Sequence, residues 1–185
     1  MVKCLNYDGS PKCHDCEVGD GPKNQHGTIP GCFNNSKIVD YLKVAIVGSE
    51  EKKWNEYQKV GAKSFIRTIL SNDNVKVMIS GDCPNGGVDK WAESIAGDPS
   101  CGVTALIYSP EINRWKDKGG EMGFRTRNLK IARNCDILYD LEPKGKRSGG
   151  TWTAEQAEKM GKDVYYVFFD KDGHGVATPK LGKSI

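Results

Sequence analysis

Residues 75–95 constrain this chain more than any other stretch: VKVMIS, then GDCPNGG, then VDKWAESI. Val75, Val77, Met78 and Ile79, apolar within so short a run, read as a buried parallel strand. Asp82, Pro84, Asn85, Gly86 and Gly87 then crowd into a tight turn. After it Val88, Trp91, Ala92 and Ile95 recur at helical spacing. A strand, a glycine-rich turn and a helix together aim backbone N–H groups and a positive dipole end at an anion. The same logic returns where ILYDL leads through SGGT into TAEQAEKM. Two such turns on one sheet imply a phosphate-bearing ligand lying across the strand ends.

The rest of the chain from Lys37 onward alternates in the same way. Leu42–Gly48 reads as the first strand, Val103–Tyr108 as the third, Asp136–Leu141 as the fourth and Val164–Phe169 as the fifth. Helices are expected over Trp54–Leu70, after Gly87, over Phe124–Asn134 and from Gly149. In the first of these, Trp54, Tyr57, Val60, Phe65, Ile66, Ile69 and Leu70 form the expected apolar stripe, with a break or late start at Gly61. The third has Leu129, Ile131 and Ala132 inward, with Arg125, Arg127, Lys130 and Arg133 around it. Glu111–Gly123 reads as a loop over the ligand crevice, with Trp115 placed either to stack on a ring or to cap the core edge. The tail from Asp170 reads as irregular. The expected class is α/β: a Rossmann-like open parallel sheet with helices on both faces. Ligand contacts then belong at the carboxyl ends of the strands, where Gly48, Ser49, Gly81–Gly87, Ser109 and Gly149–Thr151 fall.

Residues 1–36 have a different character. They hold four of the seven cysteines and almost no apolar periodicity, too little to offset their ordering entropy unaided. Cys13 and Cys16 form a CxxC knuckle that can place two thiolates on one tetrahedral ion, and Cys4 and Cys32 complete a Cys4 set for a structural Zn2+. His14 and His26 are substitutes, and a redox CxxC or a tail with incidental thiols are the competing readings. An odd cysteine count fits a disulfide framework poorly.

With 185 residues there is room for one α/β domain, 37–185, and this small appendage. No apolar run approaches the roughly 20 residues of a membrane helix, and no signal-peptide layout opens the chain, so a cytoplasmic location is expected. A net charge of +3 permits nucleic-acid contact without arguing for it.

Three blocks together resemble the SLOG superfamily, the Rossmann-like group that includes the Lonely Guy phosphoribohydrolases and the DNA-processing protein A family. ISGDCPNGGVDKWAESIA is similar to its first glycine turn, GFRTRNLKIARNCDILYDL to its basic helix and following strand, and SGGTWTAEQAEKMGKDVYYV to its second glycine turn. The likeness covers roughly residues 43–169. It implies a nucleotide phosphate at Gly149, Gly150 and Thr151, with Arg127 and Asn128 from the basic helix, Thr153 from the second turn, and Gly81, Asn85, Gly86, Gly87 and Asp89 from the first, with Asp82 as an added carboxylate contact beside that phosphate. It also implies a homodimer. Asp82 departs from the pattern, standing where the family has a second glycine. In the Lonely Guy enzymes the second turn ends in a catalytic Glu, which with an Arg is implied in cutting an N-glycosidic bond. Here Gln156 falls on that Glu and Glu155 one step earlier, about 100° away around a helix.

The candidate catalytic pair is therefore Arg127 with the displaced Glu155. Each has a plainer role available: Asp82 and Asp89 as caps of the second helix, Glu155 as a solvated first-turn residue, and Arg127 as partner to either aspartate. The displacement favours a module that senses or sequesters a nucleotide or a nucleotide-derived signal. The alternative is a phosphoribohydrolase that releases free base through an oxocarbenium-like state. Single-stranded DNA binding is weaker, because only Lys144, Lys146 and Arg147 cluster.

Overall fold

The structure, a computed structural model, describes residues 41–180 and 182, all within the unit 40–185. The cysteines expected to bind zinc, with the rest of residues 1–36, lie outside the described residues.

Six strands form one sheet: β1 Leu42–Gly48, β2 Val75–Gly81, β3 Thr104–Tyr108, β4 Ile137–Pro143, β5 Asp163–Phe169 and β6 Gly175–Lys180. Their order across the sheet is β3-β2-β1-β4-β5-β6. The first five run parallel, as the strand–helix alternation requires, and β6 lies antiparallel on β5. Four α-helices connect them: α1 Glu56–Leu70, α2 Val88–Ala96, α3 Phe124–Asn134 and α4 Gly149–Lys159.

β1 shows why the sheet is covered on both faces. Val44 and Ile46 point into one core with Ala62, Ile66 and Leu70 of α1 and Trp91 of α2. The alternate residues, Ala45 and Val47, point into a second core with Ile131 of α3 and Ala154 and Ala157 of α4. Strand succession reverses between β1 and β4, so the loops on either side part there and leave a crevice at the strand ends.

Several local expectations need correction. α1 begins at Glu56 because Asn55 caps it, its side chain accepting from Gln58 N while Gln58 reaches back to Asn55 N. Trp54 sits before the helix and packs edge-on against Trp91 at 5.4 Å between ring centroids. The helix runs unbroken through Gly61, where a side chain would strike the carbonyl of Gly173, so this glycine permits a close approach and does not end the helix. Tyr57 and Val60 are 72% and 68% exposed, outside the stripe assigned to them. The tail beyond Asp170 is not irregular throughout. Its backbone completes a hairpin whose turn is tied by Asp170, which accepts from Asp172 N and His174 N at 2.9 Å. All of β6 is exposed, so its sequence carries no apolar period to announce a strand.

Candidate functional site

The crevice holds a cavity of about 260 Å³ lined from four directions. Val47, Gly48 and Glu50 come from the end of β1, Cys83 and Asp89 from the first glycine turn and α2, Phe124, Arg127 and Asn128 from α3, and Ser148, Gly149, Gly150 and Thr153 from the start of α4. Lys53 and Trp115 close the rim.

The two strand ends touch through glycine. A side chain at Gly150 would meet Gly48 Cα at 2.5 Å and Asp140 Oδ1 at 2.8 Å, and one at Gly48 would strike the Leu141 carbonyl. Gly87 adopts φ 91°, in the left-handed region, and a side chain there would strike the Ser49 carbonyl. Only residues without a Cβ let the α2 and α4 starts close on β1.

Arg127 is the centre of the charge pattern. Its side chain is not on the solvent side of α3 but inward, 6% exposed, with Nη1 donating to Asp89 Oδ2 at 3.2 Å. Its guanidinium lies 5.5 Å from the Phe124 ring centroid. Among the described residues Nε has no hydrogen-bond partner. Burial pushes the Asp89 carboxyl up to about 6 although Arg127 pulls it down. Burial likewise raises the Cys83 thiol above its ordinary range, so the cysteine facing this cavity is not activated as a thiolate.

The segment before α3 is pinned and not free-hanging. The Arg114 and Trp115 carbonyls accept from the first amides of the helix, Phe124 N at 2.8 Å and Arg125 N at 2.9 Å. Asp117 accepts from Gly123 N and Thr126 Oγ1, each at 2.8 Å. These bonds hold Trp115 over the cavity, 41% exposed and edge-on to Trp152 at 4.9 Å.

Beneath the start of α4 lies a carboxylate pair that the sequence reading missed. Glu142, fully buried, accepts from the hydroxyls of Ser49, Ser148 and Thr151. Ser148 is the N-cap of α4, its Oγ also accepting from Gly150 N at 2.9 Å. Asp140, at 0% exposure, has neither oxygen in hydrogen-bond geometry with a described residue. Burial and the neighbouring Glu142 push its carboxyl well above the usual range. Asp and Glu two residues apart in an otherwise apolar strand were a legible sign that one strand face meets something polar.

The expected site residues divide into three groups. Gly48, Asp89, Trp115, Arg127, Asn128, Gly149, Gly150 and Thr153 line the cavity. Asn128 Nδ2 donates to the Gly149 carbonyl at 3.3 Å, bracing that turn, as does Thr153 Oγ1 at 2.7 Å. Ser49, Gly81, Gly87 and Thr151 are buried just behind the lining as its support. Asp82 turns away to Lys90 Nζ at 2.5 Å and Ser109 Oγ at 3.1 Å, Gly86 lies outside the lining, and Asn85 is exposed. Neither Asp82 nor Asp89 caps α2, whose N-cap is Gly87. Glu155 does not reach the cavity. It pairs with Arg147 and lines a separate depression against Tyr166, Phe168 and β6. Glu50 and Lys53 line the cavity outside every motif, and Cys83, Phe124 and Ser148 line it from within the motif blocks although they were not singled out as contacts.

No family model and no curated protein matches the chain. Its fold is similar to that of a molybdenum cofactor carrier protein from Chlamydomonas reinhardtii, at 18% identity and a TM-score of 0.50 over 68% of this chain and 76% of that one. DNA processing protein A from Helicobacter pylori, a single-stranded DNA binder, aligns at 22% identity and a TM-score of 0.46 over 71% of this chain and 68% of that one. Identities this low leave the architecture as what is shared with the first. Among the described residues no helix is long and apolar enough to cross a membrane, and no group of three or more His, Cys, Asp or Glu side chains is placed to hold a metal.

Proposed function

We propose that this chain is a nucleotide-binding module that senses or sequesters a nucleotide or nucleotide-derived ligand, with the ligand's phosphate in the cavity at the β1–β4 switch point. The observation that carries this reading is Arg127, a buried guanidinium facing the cavity with Nε unpartnered. A buried charged donor without a partner costs free energy, and a phosphate matches the guanidinium fork in charge and geometry. The start of α4 adds the backbone amide of Gly149 and the positive end of its dipole, while the Gly150 amide is taken by Ser148 Oγ. The cavity is smaller than the roughly 300–1,000 Å³ of sites that enclose a drug-sized ligand. A phosphate and part of a sugar fit inside, and a base would lie on the rim, where Trp115 offers a ring face.

The test is calorimetric titration and thermal shift of the full chain with mono-, di- and cyclic nucleotides, beside Arg127→Ala. Binding by wild type and its loss in the variant support the reading, and equal binding by both ends it. A hydrolase is the second reading, and it draws on Asp89, a cavity carboxyl that titrates near 6. Free base among the products after incubation would favour it. Two further parts of the proposal concern assembly: a structural zinc on Cys4, Cys13, Cys16 and Cys32, and a homodimer.

A further inference from the structure

We infer that the phosphate this cavity selects is a monoanionic phosphodiester, as in a cyclic nucleotide, and not a phosphate monoester or polyphosphate. The inference rests on the reading of the cavity as a nucleotide site and adds the charge that the site accepts.

Four charged side chains line the cavity, Lys53 and Arg127 against Glu50 and Asp89, and their formal charges cancel. Arg127 already shares Nη1 with Asp89 at 3.2 Å and its Nε is buried, so what it retains for a ligand is only the part of its fork that Asp89 leaves open. Lys53 Nζ is turned to the Arg147 carbonyl at 3.2 Å. Basic side chains beyond the lining are engaged as well: Lys52 with Glu50 itself, Lys90 with Asp82 and Glu93, and Arg147 with Glu155.

The helix start, which would otherwise meet a second negative charge, is answered from within. Ser148, the N-cap and a lining residue, donates its hydroxyl to the buried Glu142 carboxylate. Thr151, in the first turn, donates to the same group at 3.2 Å. A carboxylate beneath a helix N-terminus takes up part of the field that an anionic ligand would otherwise use. The lining is thus formally neutral, and Arg127, the cation that remains for a ligand, is already shared with Asp89, so the site suits the smaller anionic charge.

A phosphate monoester carries about −1.5 to −2 at neutral pH, whereas a diester carries a single charge with no second ionisation. The second charge of a monoester would enter a small crevice beside Glu50 and Asp89, where low-dielectric walls make like charges repel more than in bulk water.

The test uses three ligands with one base: the nucleoside 5′-monophosphate, its methyl phosphodiester, and the 3′,5′-cyclic monophosphate. Each is titrated into the full chain at pH 7.5, into Arg127→Ala, and into Glu50→Gln. We expect at least one diester to bind about tenfold or more tighter than the monoester, and the gap to narrow in Glu50→Gln, which removes one lining anion. A monoester that binds as tightly as both diesters, or a gap that Glu50→Gln leaves unchanged, overturns the inference while leaving the cavity a nucleotide site. If none of the three binds, or all bind Arg127→Ala as well as wild type, the nucleotide reading itself falls and takes the inference with it.

Discussion

The guanidinium of Arg127 lies across Gly81, in the space that any side chain at that position would occupy. Gly81 is thus a glycine for the sake of another residue's side chain. It ends β2 below the first turn, and its missing Cβ is what lets a cation from α3 reach the strand ends and meet Asp89.

This relationship separates binding from folding. Gly81 does not adopt positive φ among the described residues, so alanine fits its backbone, and the colliding group is the far end of a flexible side chain. Gly81→Ala should keep its circular dichroism spectrum and cooperative melt but lose nucleotide affinity about ten- to a hundredfold, as Arg127→Ala should. Calorimetry on both variants checks this. Wild-type affinity in Gly81→Ala would mean that the anion does not depend on Arg127 where it now sits.

Asp89 makes binding depend on pH. Arg127, Asp82 and Lys90 face it, and its carboxyl titrates at about 6. Below that pH it is neutral and frees the guanidinium for a ligand, so affinity for a phosphodiester, which does not itself titrate there, should rise several-fold from about pH 7.5 to 5.5. Asp89→Asn should flatten the dependence. Stability runs in the same direction: between about pH 4 and 6 the native state holds a proton that the unfolded chain releases, so this group's contribution falls as pH rises through that window and is level above it.

Asp140 predicts a stabilising substitution. Its carboxyl is raised by burial and by Glu142, so the native protein again retains a proton that the unfolded chain gives up. That cost grows as pH rises from the ordinary carboxylate range to the raised native value. Asp140→Asn replaces it with a neutral amide of the same shape, and its NH2 can donate to Glu142. Calorimetric melts from pH 5 to 8 should show a higher Tm than wild type, by a margin that widens with pH. A lower Tm at neutral pH would contradict this account of the pair.

Glu155→Gln should leave nucleotide affinity unchanged, because Glu155 faces the depression beside β6 and pairs with Arg147. A loss of affinity in this variant, measured by the same titration, would place the ligand on that side of α4.

For residues 1–36, elemental analysis of purified protein should find about one zinc per chain, lost when Cys13 and Cys16 are both replaced by Ser. A metal-free preparation would remove the Cys4 proposal.

Much of this architecture is written locally. A short apolar run, a cluster of turn formers and a helical period each occupy a window of a few residues, which is why five parallel strands and both glycine turns can be read along the chain. β6 escapes that reading because its pairing comes from a backbone partner across a hairpin and not from an apolar face of its own.

The glycine turns also mark where the site must lie, since a helix start at a strand end is an anion site wherever it occurs. Which side chains point into it is another matter. Residues one apart on a helix differ by about 100° in direction, so the sequence could place Arg127 and Glu155 on their helices but could not aim them. Packing turned Arg127 inward beneath Gly81 and Asp89, and it turned Glu155 outward to Arg147. The Ser49–Glu142 bond joins residues 93 positions apart, and the Arg127–Asp89 pair spans 38. The chain by itself determined a parallel α/β sheet with two glycine turns at its carboxyl edge. The charge of the crevice between them was decided by tertiary structure, because it depends on which ionisable groups the closed fold buries together.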